Sequence, residues 1–440
     1  MKRWVRLLFL HVLAVLGRPF VRRAPAAIDS VLYIKPDHLG DLLLATPVLA
    51  ALRQRFPNAC ITALVGPWSQ VVLERNPDVD VLLTCPFPGF ARGVPHDGRA
   101  LRRRRASPLA RARALAKPYW VLLRYALLLR AGRHSLAIVG RDDHWWGAAL
   151  ASLAGVPLRF GFAVPECRLF LTTALPWDPH AHVTLQGLEL VAVAARSQGP
   201  AVGNPEPGTL SRAPGTREDT ETKQQGNGGP GGQEVALRAR FDPAPGDLAW
   251  AHAWLEAQGV VQGERLVVIH PGTGGPAKLW FADRWAAVAE ALQAEGVRVL
   301  ITGGPGEEAL VEAVAQQVHV RPLTLAGRTT VGQLGALLRQ AALVLGVDSG
   351  PLHLAAAQGI PTLHLYGPSD AGRFGPWGDP ARHVVVRAGL WCSPCGVFSA
   401  CPRGLAQPEC MERIAVAQVL EQARRLLVAG AGSIGRHPDR

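Results

Sequence analysis

Short apolar blocks rich in Val, Ile and Leu alternate along this chain with longer stretches whose apolar residues recur every three or four positions. The blocks in the first half are residues 31–34, 60–65, 79–83 and 136–139; those in the second are 266–269, 297–301, 342–347 and 362–365. Runs of this length without polar alternation read as strands buried on both faces. Between them, residues 41–56, 144–153, 283–292, 307–318, 331–339 and 412–427 read as amphipathic helices. Strand alternating with helix predicts an α/β protein with parallel sheets, doubly wound and Rossmann-like, covered by helices on both faces.

The pattern breaks once. Residues 197–233 are dense in Gly and Pro and contain no aromatic side chain. Such a segment buries too little surface to order itself. It predicts a disordered linker over 197–235 between an N-terminal domain, 28–196, and a C-terminal domain, 236–429. Residues 430–440 read as a loose tail, and residues 1–27 as a separate basic and apolar segment.

Charge sharpens that last reading. The formal net charge is +13, but residues 2–23 and 92–133 together exceed it, at +6 and +11, and the remainder is slightly acidic at −4. Residues 92–133 form an arginine-rich insertion that includes Arg102–Arg105 and then the apolar, aromatic run 119–129. The apolar run 7–16 is too short to span a bilayer. A signal peptide would fit its flanks, but three arginines separate it from Ala24-Pro25-Ala26 and a strand begins soon after. The expectation is an interfacial helix on an anionic leaflet, with the arginine-rich insertion as a second basic surface. That insertion also fits a solvated charged face. No nucleic-acid motif accompanies it, so nucleic acid is not an expected partner.

Four of the seven cysteines fall together, Cys392-x2-Cys395-x5-Cys401-x8-Cys410. The first pair has zinc-ligand spacing, so a structural zinc site is one reading. Reduced packing thiols and a redox pair are the others.

Candidate chemistry lies in four loops that follow strands. Lys35-Pro-Asp-His-Leu-Gly40-Asp41 lets the backbone approach closely at Gly40 and starts a helix at Asp41, which would also serve as an N-cap. His270-Pro-Gly-Thr273-Gly-Gly-Pro-Ala-Lys278 fits a phosphate cradle or a solvated loop, and lacks the P-loop frame. Gly303-Gly-Pro-Gly-Glu307-Glu308 matches the dinucleotide fingerprint loosely, without the acid expected about 20 residues on. Its glutamates fit either a ribose contact or a helix cap. Asp348-Ser349-Gly350-Pro-x-His353 ends a strand and opens a helix, the arrangement that leaves backbone N–H groups free for an anion. The D-x-D sequence Asp78-Val-Asp80 lies at a strand start and reads as structural.

Together these motifs resemble glycosyltransferase family 9, the heptosyltransferases of bacterial lipopolysaccharide assembly. The similarity rests on Gly40-Asp41 within its Lys-x-x-x-x-Gly-Asp frame, Thr46-Pro47, His270-Pro-Gly, Lys278-x-Trp280 and the run from Val347 to Ala355. Arg141-x-x-His-Trp-Trp146 and Arg159-Phe-Gly-Phe162 add to it. The resemblance implies a GT-B fold, two Rossmann-like domains facing a central cleft. It implies an inverting, metal-independent enzyme that uses an ADP-heptose donor and a glycolipid acceptor, needs no cofactor, and works in the cytoplasm at the inner membrane. It assigns Asp41 as general base, with Gly40 and Lys35 on the acceptor side. Thr273 and Lys278 would hold the diphosphate, and Asp348 the donor sugar. Ser349 and Gly350 would offer backbone groups to phosphate, His353 would belong to the same donor site, and Glu307 or Glu308 would reach the ribose. A transferase using another nucleotide sugar, a nucleotide-sugar epimerase, a non-catalytic nucleotide-sugar-binding membrane protein and an NAD oxidoreductase are the competing readings.

Overall fold

A computed structural model describes residues 2–90, 108–197 and 237–431. The expected linker, most of the arginine-rich stretch ahead of residue 108, and the last nine residues of the tail lie outside them. The described chain forms two compact units. One runs to Pro179 and resumes at Thr184; the other takes in His180–Val183 and the residues from 237 onward.

The first unit holds six strands: β1 Ser30–Lys35, β2 Cys60–Val65, β3 Val81–Thr84, β4 Leu136–Val139, β5 Leu158–Phe162 and β6 Thr173–Leu175. The second holds β7 Leu266–His270, β8 Arg298–Gly303, β9 Leu323–Ala326, β10 Leu343–Val347, β11 Thr362–Tyr366 and β12 His383–Arg387. All pairings are parallel, in the orders β3-β2-β1-β4-β5-β6 and β12-β11-β10-β7-β8-β9. Each sheet is thus a doubly wound Rossmann-like sheet, the α/β class the pattern predicts. The central strands are buried along their length because helices cover both faces.

Strand order fixes where ligands can bind. In an open parallel sheet the crevice opens where the winding reverses, beyond the carboxyl ends of the two strands that meet there. Those strands are β1 and β4 in the first unit and β7 and β10 in the second. The loops at Lys35–Asp41, 140–144, His270–Lys278 and after Val347 all leave these four ends.

Several boundaries differ from the pattern. The predicted helix over 41–56 is two helices, Leu39–Leu43 and Thr46–Arg55. Pro47 lacks the N–H needed to continue the first, and Thr46 Oγ1 donates instead to the Leu43 carbonyl at 2.7 Å. The strand expected from residue 79 starts at Val81, because Asp80 turns its carboxylate onto the Ile61 N–H at 2.7 Å and onto Arg53. The last helix divides into Glu409–Glu412 and Val416–Ala431. The strands β5, β6, β9 and β12 and the helix Pro245–Ala257 went unassigned from the pattern. These strands are three to five residues long and carry Arg, Thr or Gly among their apolar positions.

Candidate active site

The second unit gathers most of the donor-side residues around one aspartate. Asp348 follows the last residue of β10, and its N–H bonds the Leu365 carbonyl of β11 at 3.1 Å. The β7 loop comes back to it. Thr273 Oγ1 donates to the Asp348 carbonyl at 3.0 Å, and Lys278 Nζ donates to the same carbonyl at 2.8 Å and to Oδ2 at 3.1 Å. His353 Nε2 stands 3.7 Å from Oδ1. Burial opposes charge on Asp348, but His353 and the Lys278 ammonium outweigh it and hold the carboxyl well below the usual carboxylate range. The result is an ammonium fixed in direction at a strand-end crevice, with a hydroxyl beside it.

Close packing keeps that loop in place. His270 closes β7 buried, its Nδ1 3.0 Å from Thr302 Oγ1 on β8. Burial lowers its pKa to about 4, so it is neutral at pH 7. Gly346 faces the His270 carbonyl across the β7–β10 pair, where any Cβ would collide with it. Trp280 is buried against Trp285 with ring centroids 4.8 Å apart, and its Nε1 donates to the Ile414 carbonyl at 3.3 Å. The Lys278-x-Trp280 spacing therefore reads physically: the indole is the anchor that aims the ammonium two residues earlier.

The two glutamates separate into different roles. Glu307 Oε2 accepts from the Gly304 N–H at 2.7 Å, and its carboxylate lies over Gly272, where a Cβ would strike it. Glu308 turns the other way, against Gly327, and accepts backbone N–H groups at its own helix start, which lowers its pKa. Glu307 is thus the one beside the β7 loop, whereas Glu308 turns onto the backbone of its own helix start. Ser349 Oγ and His353 Nδ1 are buried without a hydrogen-bond partner among the described residues.

The first unit carries a network the sequence reading did not assemble. Lys35 is buried, its Nζ 2.8 Å from the Gly140 carbonyl and 3.2 Å from Asp37 Oδ2. Arg141 closes on Asp37 Oδ1, and its Nε meets Asp143 at 2.5 Å. Burial works against the Asp37 charge, yet Lys35 and Arg141 hold its pKa below the ordinary value. Trp68 Nε1 and Ser69 Oγ donate to the Asp37 carbonyl at 3.0 and 2.9 Å. These bonds lock the β1 loop to the β4 loop and set the backbone that leads into Asp41. Asp41 itself is half-buried in the first turn of Leu39–Leu43. Lys35 therefore acts on the loop rather than presenting its charge outward. The signal for Asp37 and Arg141 was available, since both follow strands that meet at the switch point, but no sequence spacing links them.

Two motifs are structural. Arg159 is buried and donates to the Phe170 carbonyl at 2.6 Å and the Val156 carbonyl at 2.5 Å, tying β5 to the turn before β6. Asp80 is committed to Arg53 and Ile61. The four clustered cysteines are free thiols, Cys410 buried and Cys395 exposed, and among the described residues no three His, Cys, Asp or Glu side chains are arranged to hold a metal ion. Cys410 sits in a short helix against Gly367, and burial first and then the neighbouring Cys395, Cys392 and Cys401 raise its pKa. That segment has a different contact with the site. Phe398 accepts the Ala277 N–H at 3.0 Å through its carbonyl and lays its ring 5.1 Å from Lys278 Nζ.

Buried histidines give a stability prediction. Burial comes first among the causes that lower His134, His182, His270 and His383 to about 4 and His144 to about 3, against an ordinary value of 6.5. A lowered imidazole contributes stability above its unfolded pKa and loses it as pH falls toward the folded value. Stability, and with it the melting temperature, should therefore fall steadily from pH 6.5 to 4, each titrating histidine costing up to about 1.4 kcal/mol of stability per pH unit. The depressed carboxyls Asp37 and Asp348 add their loss only below their ordinary value of 3.8. Scanning calorimetry across that range checks this; a flat profile between pH 6.5 and 4 would contradict it.

Comparison with known proteins bears on the family and the fold. The sequence profile of glycosyltransferase family 9 (heptosyltransferase) matches residues 124–401. Lipopolysaccharide heptosyltransferase 3 of Escherichia coli is 28% identical over 342 residues, spanning 77% of this chain and 83% of its own length. Among solved structures, the family 9 glycosyl transferase from Veillonella parvula shares the fold with a TM-score of 0.69 at 21% identity, covering 93% of this chain and 99% of that one. Escherichia coli ADP-heptose lipopolysaccharide heptosyltransferase II gives 0.63 at 18% identity, covering 91% and 99%.

Proposed function

The chain belongs to glycosyltransferase family 9, and on that premise we propose that it moves a heptose from an ADP-linked donor to a hydroxyl of a lipopolysaccharide-core or similar glycolipid acceptor, with inversion and without a metal ion, at the cytoplasmic face of the inner membrane. The observation that carries the donor side is the convergence of Thr273 and Lys278 on Asp348 at the β7–β10 switch point. An ADP-heptose enzyme among the solved structures of the same fold supports the choice of donor.

In this reading the acceptor hydroxyl loses its proton to Asp41 as its oxygen bonds to the anomeric carbon. The bond from that carbon to the diphosphate oxygen breaks on the opposite face, and ADP departs with the electron pair. Lys278 and Thr273 meet the diphosphate, where a fixed ammonium stabilises the growing negative charge. Asp348 orients that ammonium and contacts the donor sugar, with His353 behind it and backbone groups at Ser349 and Gly350 alongside. Glu307, on the β7-loop side, takes the ribose in preference to Glu308. Gly40 gives the acceptor close approach to the backbone. Metal independence is supported by the engagement of Asp80, whose carboxylate is taken up by Arg53 and the Ile61 N–H at the strand edge.

Calorimetric titration with ADP, UDP and NAD, each with and without EDTA, tests this. Binding of ADP that survives EDTA is the expected result. A preference for UDP would overturn the donor, and loss of ADP binding in EDTA would overturn the metal-free mechanism.

A further inference from the structure

The first unit buries one side of two helices and leaves the other side apolar as well. In Lys2–Gly17, Leu10 is buried in the core and Leu13 and Ala14 pack against it. The opposite stripe, Trp4, Leu8, Val12 and Val15, is exposed, Trp4 at 79%. In Pro108–Ala131, Leu122, Ala126 and Leu129 fill the same core, while Trp120, Leu123 and Leu127 are exposed, Trp120 at 62%. A surface helix ordinarily turns charge outward opposite its buried stripe. These two do not.

The two outward stripes are continuous. Phe9 meets Tyr119 edge to face, with ring centroids 5.4 Å apart, and both rings are themselves partly exposed. Neither helix contains an acidic residue. Exposed Arg18 and Arg23 follow the first helix, and exposed Lys117 and Arg124 lie on the second, Arg124 standing 5.6 Å over the Trp120 ring. An apolar face this large on a folded unit marks an interaction site.

We infer that this two-helix face is the surface on which the protein lies in an anionic bilayer. Tryptophan and tyrosine at the margin, aliphatic side chains within, and a rim of cations without anions match the chemistry of a headgroup layer over acyl chains. Among the described residues no helix is long and apolar enough to cross a membrane, so the geometry is docking in the plane rather than insertion across it. A second copy of the chain is a poorer occupant, because a two-fold contact would bring two cationic rims together. The inference deepens the proposed reading, since a glycolipid acceptor sits in such a bilayer, and it rests on that reading only for its purpose.

Flotation of the full chain with vesicles of equal parts phosphatidylcholine and phosphatidylglycerol, against phosphatidylcholine alone, is the test. Binding should favour the anionic vesicles and weaken with salt. The triple variant Trp120→Ser, Leu123→Ser, Leu127→Ser should lower binding by about tenfold or more, with ADP affinity unchanged as the check on folding. Brominated lipid provides a second readout: it should quench tryptophan emission in the unaltered protein, and Trp4→Phe with Trp120→Phe should remove that quenching. Equal binding by the triple variant, quenching that survives both Trp→Phe changes, or a lipid-free dimer that Leu123→Ser dissociates would each overturn the inference. Transfer to a delipidated core oligosaccharide separates the two claims. If vesicles bind and that transfer fails, the heptosyl reading falls while the docking face stands; if transfer proceeds and vesicles do not bind, the reverse holds.

Discussion

Asp41→Ala is expected to lower kcat for heptose transfer by about 10²- to 10⁴-fold, the usual contribution of a positioned general base, while ADP binds as tightly as before. The separation follows from where the residues lie. Asp41 stands in the first unit, in the turn that follows β1, whereas Thr273, Lys278 and Asp348 belong to the β7 and β10 loops of the second. Single-turnover transfer and ADP calorimetry on the same preparation measure both quantities. Loss of ADP affinity in step with activity would assign Asp41 to loop structure instead of proton transfer. Asp41→Asn refines the test, because it keeps a hydrogen-bonding side chain at the helix start and removes only the basicity.

Lys278→Ala should behave differently, weakening both ADP affinity and donor turnover. A charge-assisted hydrogen bond contributes about 1.5–3 kcal/mol, so ADP affinity should fall by about 10- to 100-fold. The substitution also leaves Asp348 buried with its cation gone, and the carboxyl should then titrate closer to its ordinary value. The variant should therefore melt earlier than the parent at neutral pH, and its acid destabilisation below pH 3.8 should shrink. Lys278→Arg is expected to restore little. The ammonium points at one carbonyl, one carboxylate oxygen and the Phe398 ring, and a planar fork does not reproduce that set. Unchanged ADP affinity in Lys278→Ala would remove this residue from the diphosphate site and leave it as an Asp348 partner alone.

These two substitutions probe residues that were legible as motifs, but with unequal completeness. Lys278 was visible as a lysine at the end of a glycine-rich loop after a strand; that its direction is set by the Asp348 carbonyl was not. The tandem Glu307-Glu308 was ambiguous in sequence because adjacent residues share a spacing. Only the placement of Gly272 on one side and Gly327 on the other tells them apart. Phe398 gave no signal at all, since the cysteines around it invited a metal reading and its contact with Lys278 spans more than a hundred residues.

The sequence by itself determined the class of fold, the two repeats of strand and helix, and the strand-ending loops that carry chemistry. Those features are written in local periodicity and in where Gly, Pro and Asp interrupt it, and local pattern survives without knowledge of partners. Only the tertiary structure decided which strands lie side by side, and strand order is what brings the β7 loop to Asp348 and the Arg141 guanidinium to Asp37. It also decided that two helices a hundred residues apart share one exposed apolar face. Each of these is a contact between distant segments, fixed by parallel pairing and core packing, and none leaves a spacing in the chain that periodicity could reveal.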